Sequence, residues 1–120
     1  MKDKIFVYPN GKKIFYTIHN KKSPLFLVYL HGLMSSRKSD KGKAILSYAK
    51  KNGLGFLSLD YTAHGQSDGD KTAFRVGTCL NDILSVVDLE LKEKQIILYP
   101  LKSFCPPSTI QNILPKHVHP

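Results

Sequence analysis

Three short apolar runs, separated by two amphipathic stretches, constrain the fold of this chain more than any other feature. The runs are Leu25–Leu30, Gly55–Leu59 and Gln95–Tyr99. Each suits a strand covered on both faces of a parallel sheet and is too short to span a bilayer. Residues 40–51 and 76–87, between the runs, carry apolar side chains at helical spacing. The sequence therefore predicts a parallel β-α-β-α-β unit, an α/β architecture with right-handed crossovers.

Local signals mark where several of these elements begin and end. Ile5–Tyr8 and Lys13–Ile18 are β-rich runs joined through Asn10-Gly11, a pair that tolerates positive φ, so we expect a β-hairpin ahead of the parallel strands. Ser39-Asp40 can cap or charge the start of the first helix. Gly53 can take the left-handed position just after that helix.

Composition limits the classes of partner and location. The net charge is +9, but sixteen of the eighteen basic residues are lysine and the arginines are Arg37 and Arg75. Because arginine is the usual reader of phosphate and base edges, we expect no nucleic-acid partner.

Cys79 and Cys105 lack metal-site spacing, so we expect reduced thiols, no metal and no cofactor. With no signal segment or membrane span in the sequence, the expected location is cytoplasmic.

Two motifs follow the first two apolar runs, and their order and spacing are specific. The first is His31-Gly32-Leu33-Met34-Ser35-Ser36, and the second is Asp60-Tyr61-Thr62-Ala63-His64-Gly65-Gln66-Ser67. Together they resemble the N-terminal half of the α/β-hydrolase superfamily, over about Ile14 to Tyr99. The resemblance is greatest to its small serine esterases and thioesterases, including the palmitoyl-protein thioesterase-like branch. It implies hydrolysis of carboxylic esters or thioesters as the family chemistry.

The resemblance also implies roles for the motif residues. The loop after the first strand supplies an oxyanion-hole donor, which here would be the backbone N–H of Leu33. Gly32 would let the substrate approach the backbone, and His31 would orient the loop rather than act as a base. In the second motif, Asp60, Gly65 and Ser67 would form a structural loop that braces the first. We prefer this structural role for Ser67 over a nucleophilic one.

The segment Gly65-Gln66-Ser67-Asp68-Gly69 matches the Gly-x-Ser-x-Gly pattern of a catalytic serine. A nucleophile elbow, however, lies directly between the end of a strand and the start of a helix. Here the strand ends near Asp60 and the next helix begins near Thr72–Phe74. The expected elbow belongs instead directly after Tyr99.

The sequence after Tyr99 does not provide that elbow. Pro100 stands where the first glycine is expected and Lys102 where the serine is expected, while Ser103 lacks both flanking glycines. Proline cannot adopt the strained turn that glycine permits. We therefore expect an incomplete hydrolase domain at 1–99 and an unrelated, Pro-rich, disordered tail at 100–120. A reading-frame change near this junction is one hypothesis for the abrupt difference.

These observations leave three functional interpretations. The first is a truncated, inactive remnant of a serine ester or thioester hydrolase. The second is the N-terminal half of a split hydrolase completed by a separate C-terminal chain. The third is a small basic binding protein that reuses the scaffold. In the first two, the strand Gln95–Tyr99 would become an apolar sheet edge, and we expect self-association through it.

Overall fold

The structure, a computed structural model, describes residues 1–99 and Val118–His119. Its elements form in the predicted order, and the predicted α/β fold is confirmed. The strands and helices are β1 (Lys2–Val7), β2 (Lys13–His19), β3 (Leu25–Tyr29), α1 (Asp40–Lys51), β4 (Gly55–Leu59), α2 (Val76–Glu90), β5 (Gln95–Tyr99) and β6 (Val118–His119). A single 3₁₀ turn at Lys71–Ala73 precedes α2, which therefore begins slightly later than the sequence predicts.

All six strands belong to one sheet, in the order β1-β2-β4-β3-β5-β6. β1 and β2 form the predicted hairpin, and β2 is also antiparallel to β4. β4, β3, β5 and β6 run parallel to one another. The crossover from β3 through α1 places β4 on one side of β3, and the crossover through α2 places β5 on the other. The carboxyl ends of β4, β3 and β5 therefore meet at one edge.

The two helices cover opposite faces of the sheet to different extents. On the α2 face, side chains from five strands pack with Cys79, Ile83, Val86 and Val87 in one large core. On the α1 face, the core is small and centres on Tyr29, Ala49 and Phe56. The α1 face of β5 is open, since Ile97 is 39% exposed and Tyr99 is 48% exposed.

The edge of β5 carries the only described residues of the Pro-rich tail. Val118 and His119 pair in parallel with Ile96 and Ile97. The backbone of these two residues extends the hydrogen-bonded ladder, and the expectation of a disordered tail stays a prediction. The expectation for residues 100–117 and 120 falls outside the described residues.

Glu90, in the last turn of α2, anchors the hairpin to this helix. Its buried carboxylate accepts hydrogen bonds from Lys4 Nζ (2.9 Å), Tyr16 Oη (2.5 Å) and Lys21 Nζ (2.5 Å). Burial alone would raise the pKa of Glu90, but the hydrogen bonds from Lys21, Tyr16 and Lys4 outweigh it and lower the pKa to about 2. The ionised carboxylate thus holds two strands against the helix that covers them.

Candidate functional site

The two motif loops lie side by side at the carboxyl edge of the sheet. Residues 30–39 follow β3 and residues 60–70 follow β4, and these two strands are parallel neighbours. Ligand sites of open α/β sheets form at this edge, outside the carboxyl ends of the strands. The topology therefore brings the two predicted motifs together.

A buried ion pair between Asp60 and Arg37 joins the loops. The Asp60 carboxylate, 1% exposed, pairs with Arg37 Nη1 and accepts a hydrogen bond from the Arg37 backbone N–H at 2.7 Å. It also accepts from the backbone N–H of Gln66 at 3.0 Å. Arg37 in turn donates through Nε to Thr17 Oγ1 (3.0 Å) and through Nη2 to Gln66 Oε1 (2.9 Å). One guanidinium thus connects both loops and β2.

Gly65 fits this arrangement because it has no side chain. Its φ is +52°, and a Cβ at this position would collide with the Asp60 carboxylate. Glycine is therefore required here for two reasons: the backbone is left-handed, and the buried Asp60 carboxylate lies too close for a Cβ. This geometry is what a structural role for Asp60 and Gly65 requires.

The Ser67 hydroxyl is engaged in two backbone hydrogen bonds. It donates to the Asp60 carbonyl at 2.7 Å and accepts from the Phe15 N–H at 2.8 Å. Ser67 lies well after the end of β4 and nine residues before Val76, the first residue of α2. The bond to Phe15 holds the loop against β2, the bond to Asp60 closes the loop on itself, and both support the preferred structural role. The choice between that role and a nucleophilic one stays a prediction.

His31 is fully buried beneath the first loop. Its Nδ1 donates to the Gly32 carbonyl at 2.8 Å, and its Nε2 accepts from the Tyr61 N–H at 3.3 Å. The ring also stacks on Tyr61 with centroids 3.9 Å apart. Burial lowers the pKa of His31 to about 4, so the ring is neutral near pH 7 and carries its proton on Nδ1. A neutral ring with both nitrogens engaged is suited to orienting the loop.

The tip of the first loop is exposed and tightly turned. Ser35 N–H donates to the Gly32 carbonyl at 3.0 Å, and Met34 has a φ of +65°. Leu33 is 50% exposed. Among residues 1–99, the Leu33 N–H has no hydrogen-bond acceptor. It is therefore a donor that a bound anion can use, as the predicted oxyanion role requires.

The end of β5 lies next to this loop. Leu30 directly precedes His31, and its N–H donates to the Tyr99 carbonyl at 3.2 Å. The chain therefore leaves β5 beside the point where the first loop begins. The expected position of the nucleophile elbow, directly after Tyr99, lies outside the described residues.

Sequence reasoning did not identify Asp82, on α2, as a residue of the site. The Asp82 carboxylate is buried and accepts from Tyr8 Oη (2.6 Å), the Thr62 N–H (2.7 Å) and Thr62 Oγ1 (2.8 Å). Burial and the hydrogen bond to Asp82 raise the pKa of Tyr8 to about 12. Asp82 stands three residues after Cys79, a spacing that puts both on one helix face and could have revealed its position.

Arg37 and His64 were also missed as site residues. Arg37 was considered only for nucleic-acid binding, yet it links the two loops. His64 is buried against His31 and Phe74, with ring centroids at 5.3 Å and 4.8 Å. Its Nδ1 contacts the Thr62 carbonyl at 3.0 Å. Arg37 had no local sequence signal, and His64 lay within the second motif without an assigned role, because the ring contacts that bury it come from His31 and Phe74.

Among the described residues, neither a metal-binding cluster nor a membrane-spanning helix is found. Within residues 1–99 and 118–119, no group of three or more His, Cys, Asp or Glu side chains is arranged to hold a metal ion. In the same residues, no helix is both long and apolar enough to cross a bilayer. The cytoplasmic location stays a prediction.

Comparison with known sequences gives related hydrolases. No protein-family profile matches the chain. It is 31% identical over 72 residues to the mitochondrial palmitoyl-protein thioesterase ABHD10 of Rattus norvegicus, a match that covers 60% of this chain and 24% of that protein. The Bos taurus protein of the same name is 31% identical over 77 residues, with 64% and 25% covered. The chain thus spans about a quarter of the length of these curated relatives.

Solved structures share the fold over most of the chain. Mouse alpha/beta hydrolase domain-containing protein 10 superposes with a TM-score of 0.71 at 26% identity, covering 82% of this chain and 38% of that one. A putative hydrolase from Agrobacterium vitis gives 0.73 at 20% identity, covering 81% and 39%. The Pyrococcus furiosus esterase PF2001 gives 0.67 at 23% identity, covering 81% and 38%. The latter two matches establish the fold alone.

Proposed function

Because this chain belongs to the α/β-hydrolase superfamily over the part that its relatives match, we propose that it carries the oxyanion-hole half of a serine ester or thioester hydrolase site. We further propose that the 120-residue polypeptide does not hydrolyse these substrates alone. The observation that carries the first statement is the hydrogen bond from the Leu30 N–H to the Tyr99 carbonyl, and the second statement rests on the sequence that follows Tyr99. This hydrogen bond joins the loop that holds the donor to the strand end where the family has its nucleophile.

Acyl transfer needs a nucleophile and an oxyanion donor around the same carbonyl group. Leu33 is half exposed and its N–H has no acceptor within residues 1–99, so the donor half is available. The nucleophile would have to follow Tyr99, and the sequence there is Pro100-Leu101-Lys102-Ser103. Without an elbow serine no acyl-enzyme can form by the family chemistry. The donor is therefore present without the group it assists.

The substrate class comes from the relatives. The Rattus norvegicus and Bos taurus proteins are named palmitoyl-protein thioesterases, and other structural neighbours are esterases. Since the chain spans about a quarter of the named thioesterases, their activity applies to it only as a proposal for the complete site. Fatty-acyl thioesters and esters are the substrates to test.

A split hydrolase is the second candidate, and the open α1 face of β5 favours it. Ile97 and Tyr99 expose apolar surface beside the carboxyl edge of the sheet. A separate chain that supplied the elbow and the acid and histidine of the triad could cover this surface. Hydrolysis that appears only when such a chain is co-expressed would favour this candidate over an inactive remnant.

The first test asks whether the polypeptide is active alone. The purified chain is incubated with p-nitrophenyl octanoate, with a palmitoyl thioester and with a fluorophosphonate probe that labels activated serines. We expect hydrolysis at the buffer rate and no labelling, for both the natural chain and Ser67→Ala. Labelling that Ser67→Ala abolishes would overturn the structural assignment of Ser67 and the proposal of inactivity.

The second test examines the donor loop in a complete site. Residues 1–99 are joined to the part of mouse alpha/beta hydrolase domain-containing protein 10 that follows its matched strand. In a folded, active chimera, Leu33→Pro removes the N–H and should lower kcat about 100- to 1,000-fold, while Leu33→Ala keeps the N–H and most of the activity. A folded chimera with no activity, or equal kcat values for both variants, would contradict the proposed role.

A reading-frame change after Tyr99 is the proposed origin of the missing elbow. Sequencing the gene and transcript from the Ile96 codon onward tests it. A Gly-x-Ser-x-Gly sequence in a shifted frame directly after this strand would support the proposal, and its absence from both other frames would refute it.

A further inference from the structure

A cleft of about 320 Å³ lies on the α1 face of the sheet, beside β2 and β4. We call it the α1 cleft and define it by Thr17, Lys43, Leu46, Lys50 and Phe56. Its volume is near the lower end of the range for small-molecule sites, about 300–1,000 Å³. Met1, Gly42 and, from the far end of the loop after β3, Arg37 and Lys38 also line it, but the exposed loop tip at Leu33 does not. The cleft is therefore a candidate site distinct from the proposed oxyanion hole.

The floor of the α1 cleft is apolar. Phe56 is buried there and packs with Leu46, which is only partly covered by the small core on this face. Gly42, one turn before Leu46, adds no side chain, and any Cβ there would meet the Arg37 carbonyl and the Tyr29 ring. The absence of a side chain at Gly42 keeps α1 close to the sheet along the cleft.

The rim of the α1 cleft is cationic. Lys43 and Lys50 are seven residues apart on α1, so they lie on one helix face, about 10 Å apart along its axis. Neither has an ion-pair partner among the described residues, whereas Lys38 pairs with Asp3 at 3.2 Å and Arg37 pairs with Asp60. No acidic residue lines the cleft. Two uncompensated positive charges therefore flank an apolar floor.

We propose that the α1 cleft binds an amphipathic carboxylate, the anion of a medium-chain fatty acid. The carboxylate lies between the Lys43 and Lys50 side chains, and the hydrocarbon chain covers the exposed parts of Leu46 and Met1, which both line the cleft. This ligand satisfies both the unpaired charge and the exposed apolar surface, whereas a purely anionic ligand leaves that surface in water. Single-stranded nucleic acid does not fit as well, because Phe56 is buried and offers no ring face for stacking.

Calorimetric titration of the full chain with decanoate, below its micelle concentration, tests the ligand class. We expect saturable binding that weakens as salt is raised, because the lysines are exposed. Butyrate keeps the charge but lacks most of the chain, so it should bind at least tenfold more weakly. Decanol keeps the chain but lacks the charge and should also bind more weakly. No binding of decanoate, or equal binding of butyrate, overturns the proposal.

Two double variants test the location. Lys43→Gln with Lys50→Gln should weaken decanoate binding about fivefold, since each exposed charge pair contributes modestly. Lys51→Gln with Lys92→Gln removes the same charge from exposed positions outside the cleft and should leave binding unchanged. An equal loss in both double variants would mean attraction to the overall charge and would refute the site.

Amide chemical shifts separate this site from the oxyanion loop. With decanoate bound, the largest shifts should fall on Thr17, Leu46 and Lys50. Shifts concentrated at Leu33 would place the ligand at the proposed oxyanion hole and overturn the α1 cleft proposal. The outcome is independent of hydrolysis, so failure here leaves the proposed function standing.

Discussion

The loop after β4 buries the polar side chains of Asp60 and Thr62, whereas the loop after β3 is held only at its two ends and leaves its tip in solvent. In the first, Asp60, Thr62 and Ser67 have their side chains hydrogen-bonded within the protein. In the second, His31 and Arg37 are buried, while Leu33 and Met34 are 50% and 70% exposed. The β4 loop therefore has the character of a support, and the β3 loop that of a surface prepared to meet a ligand.

The largest expected difference between the loops comes from Asp60→Asn. This change leaves the buried guanidinium of Arg37 with only the half-exposed Asp3, at 3.8 Å, as a charge partner, and we expect a loss of about 3–5 kcal/mol in the free energy of unfolding. Urea denaturation followed by circular dichroism measures it. Asp88→Asn removes the same charge from an exposed position of α2 and should change stability by less than about 0.5 kcal/mol. Similar losses in the two variants would mean that the ion pair does not support the loops.

A smaller effect should come from protonating His31 at the base of the β3 loop. Burial lowers its pKa from 6.5 to about 4, so the unfolded chain binds this proton at a higher pH than the folded chain. Stability should therefore fall as pH decreases from 6.5 towards 4, by up to about 3 kcal/mol. The measurement is the thermal midpoint against pH for the natural chain and for His31→Gln. Parallel curves through this window would show that His31 does not contribute.

The smallest effect should come from Met34→Gly at the exposed tip. Met34 has a φ of +65°, which glycine adopts without strain. Relief of this strain outweighs the greater backbone entropy that glycine loses on folding, so the change should stabilise the protein by roughly 0.5 kcal/mol. Leu33→Gly, at the neighbouring exposed residue, lacks this gain and should destabilise by about 0.5–1 kcal/mol. Chemical denaturation compares the two. Equal effects would mean that the turn is not strained at Met34.

The features that the sequence predicted well depend on neighbours in the chain. Gly11 takes a φ of +91° in the hairpin, and Gly53 takes +66° after α1. Ser39 caps α1, with its Oγ accepting from the Gly42 N–H at 3.3 Å. Each was predicted from residue type and short spacing, because the governing interaction spans only a few residues.

The features that were missed depend on partners far along the chain. Asp82 bonds to Thr62 and Tyr8, and Arg37 bonds to Asp60 and Thr17. A buried carboxylate and an exposed one look alike in a sequence until the fold supplies the donors. The positions of the motif loops could be predicted, since they follow from strand order. The bonds that hold those loops could not.

The contacts of Glu90 bear on how the chain folds as it is synthesised. The hairpin leaves the ribosome first, yet its anchor lies 86 residues after Lys4 and 74 after Tyr16. The hairpin's neighbour in the sheet is β4 and not β3, the next strand in the chain. The strand that pairs with β2 is therefore synthesised after β3 and α1. Contacts so distant in sequence form slowly, since a long loop must close first. We therefore expect the nascent hairpin to remain unanchored until the last turn of α2 has emerged.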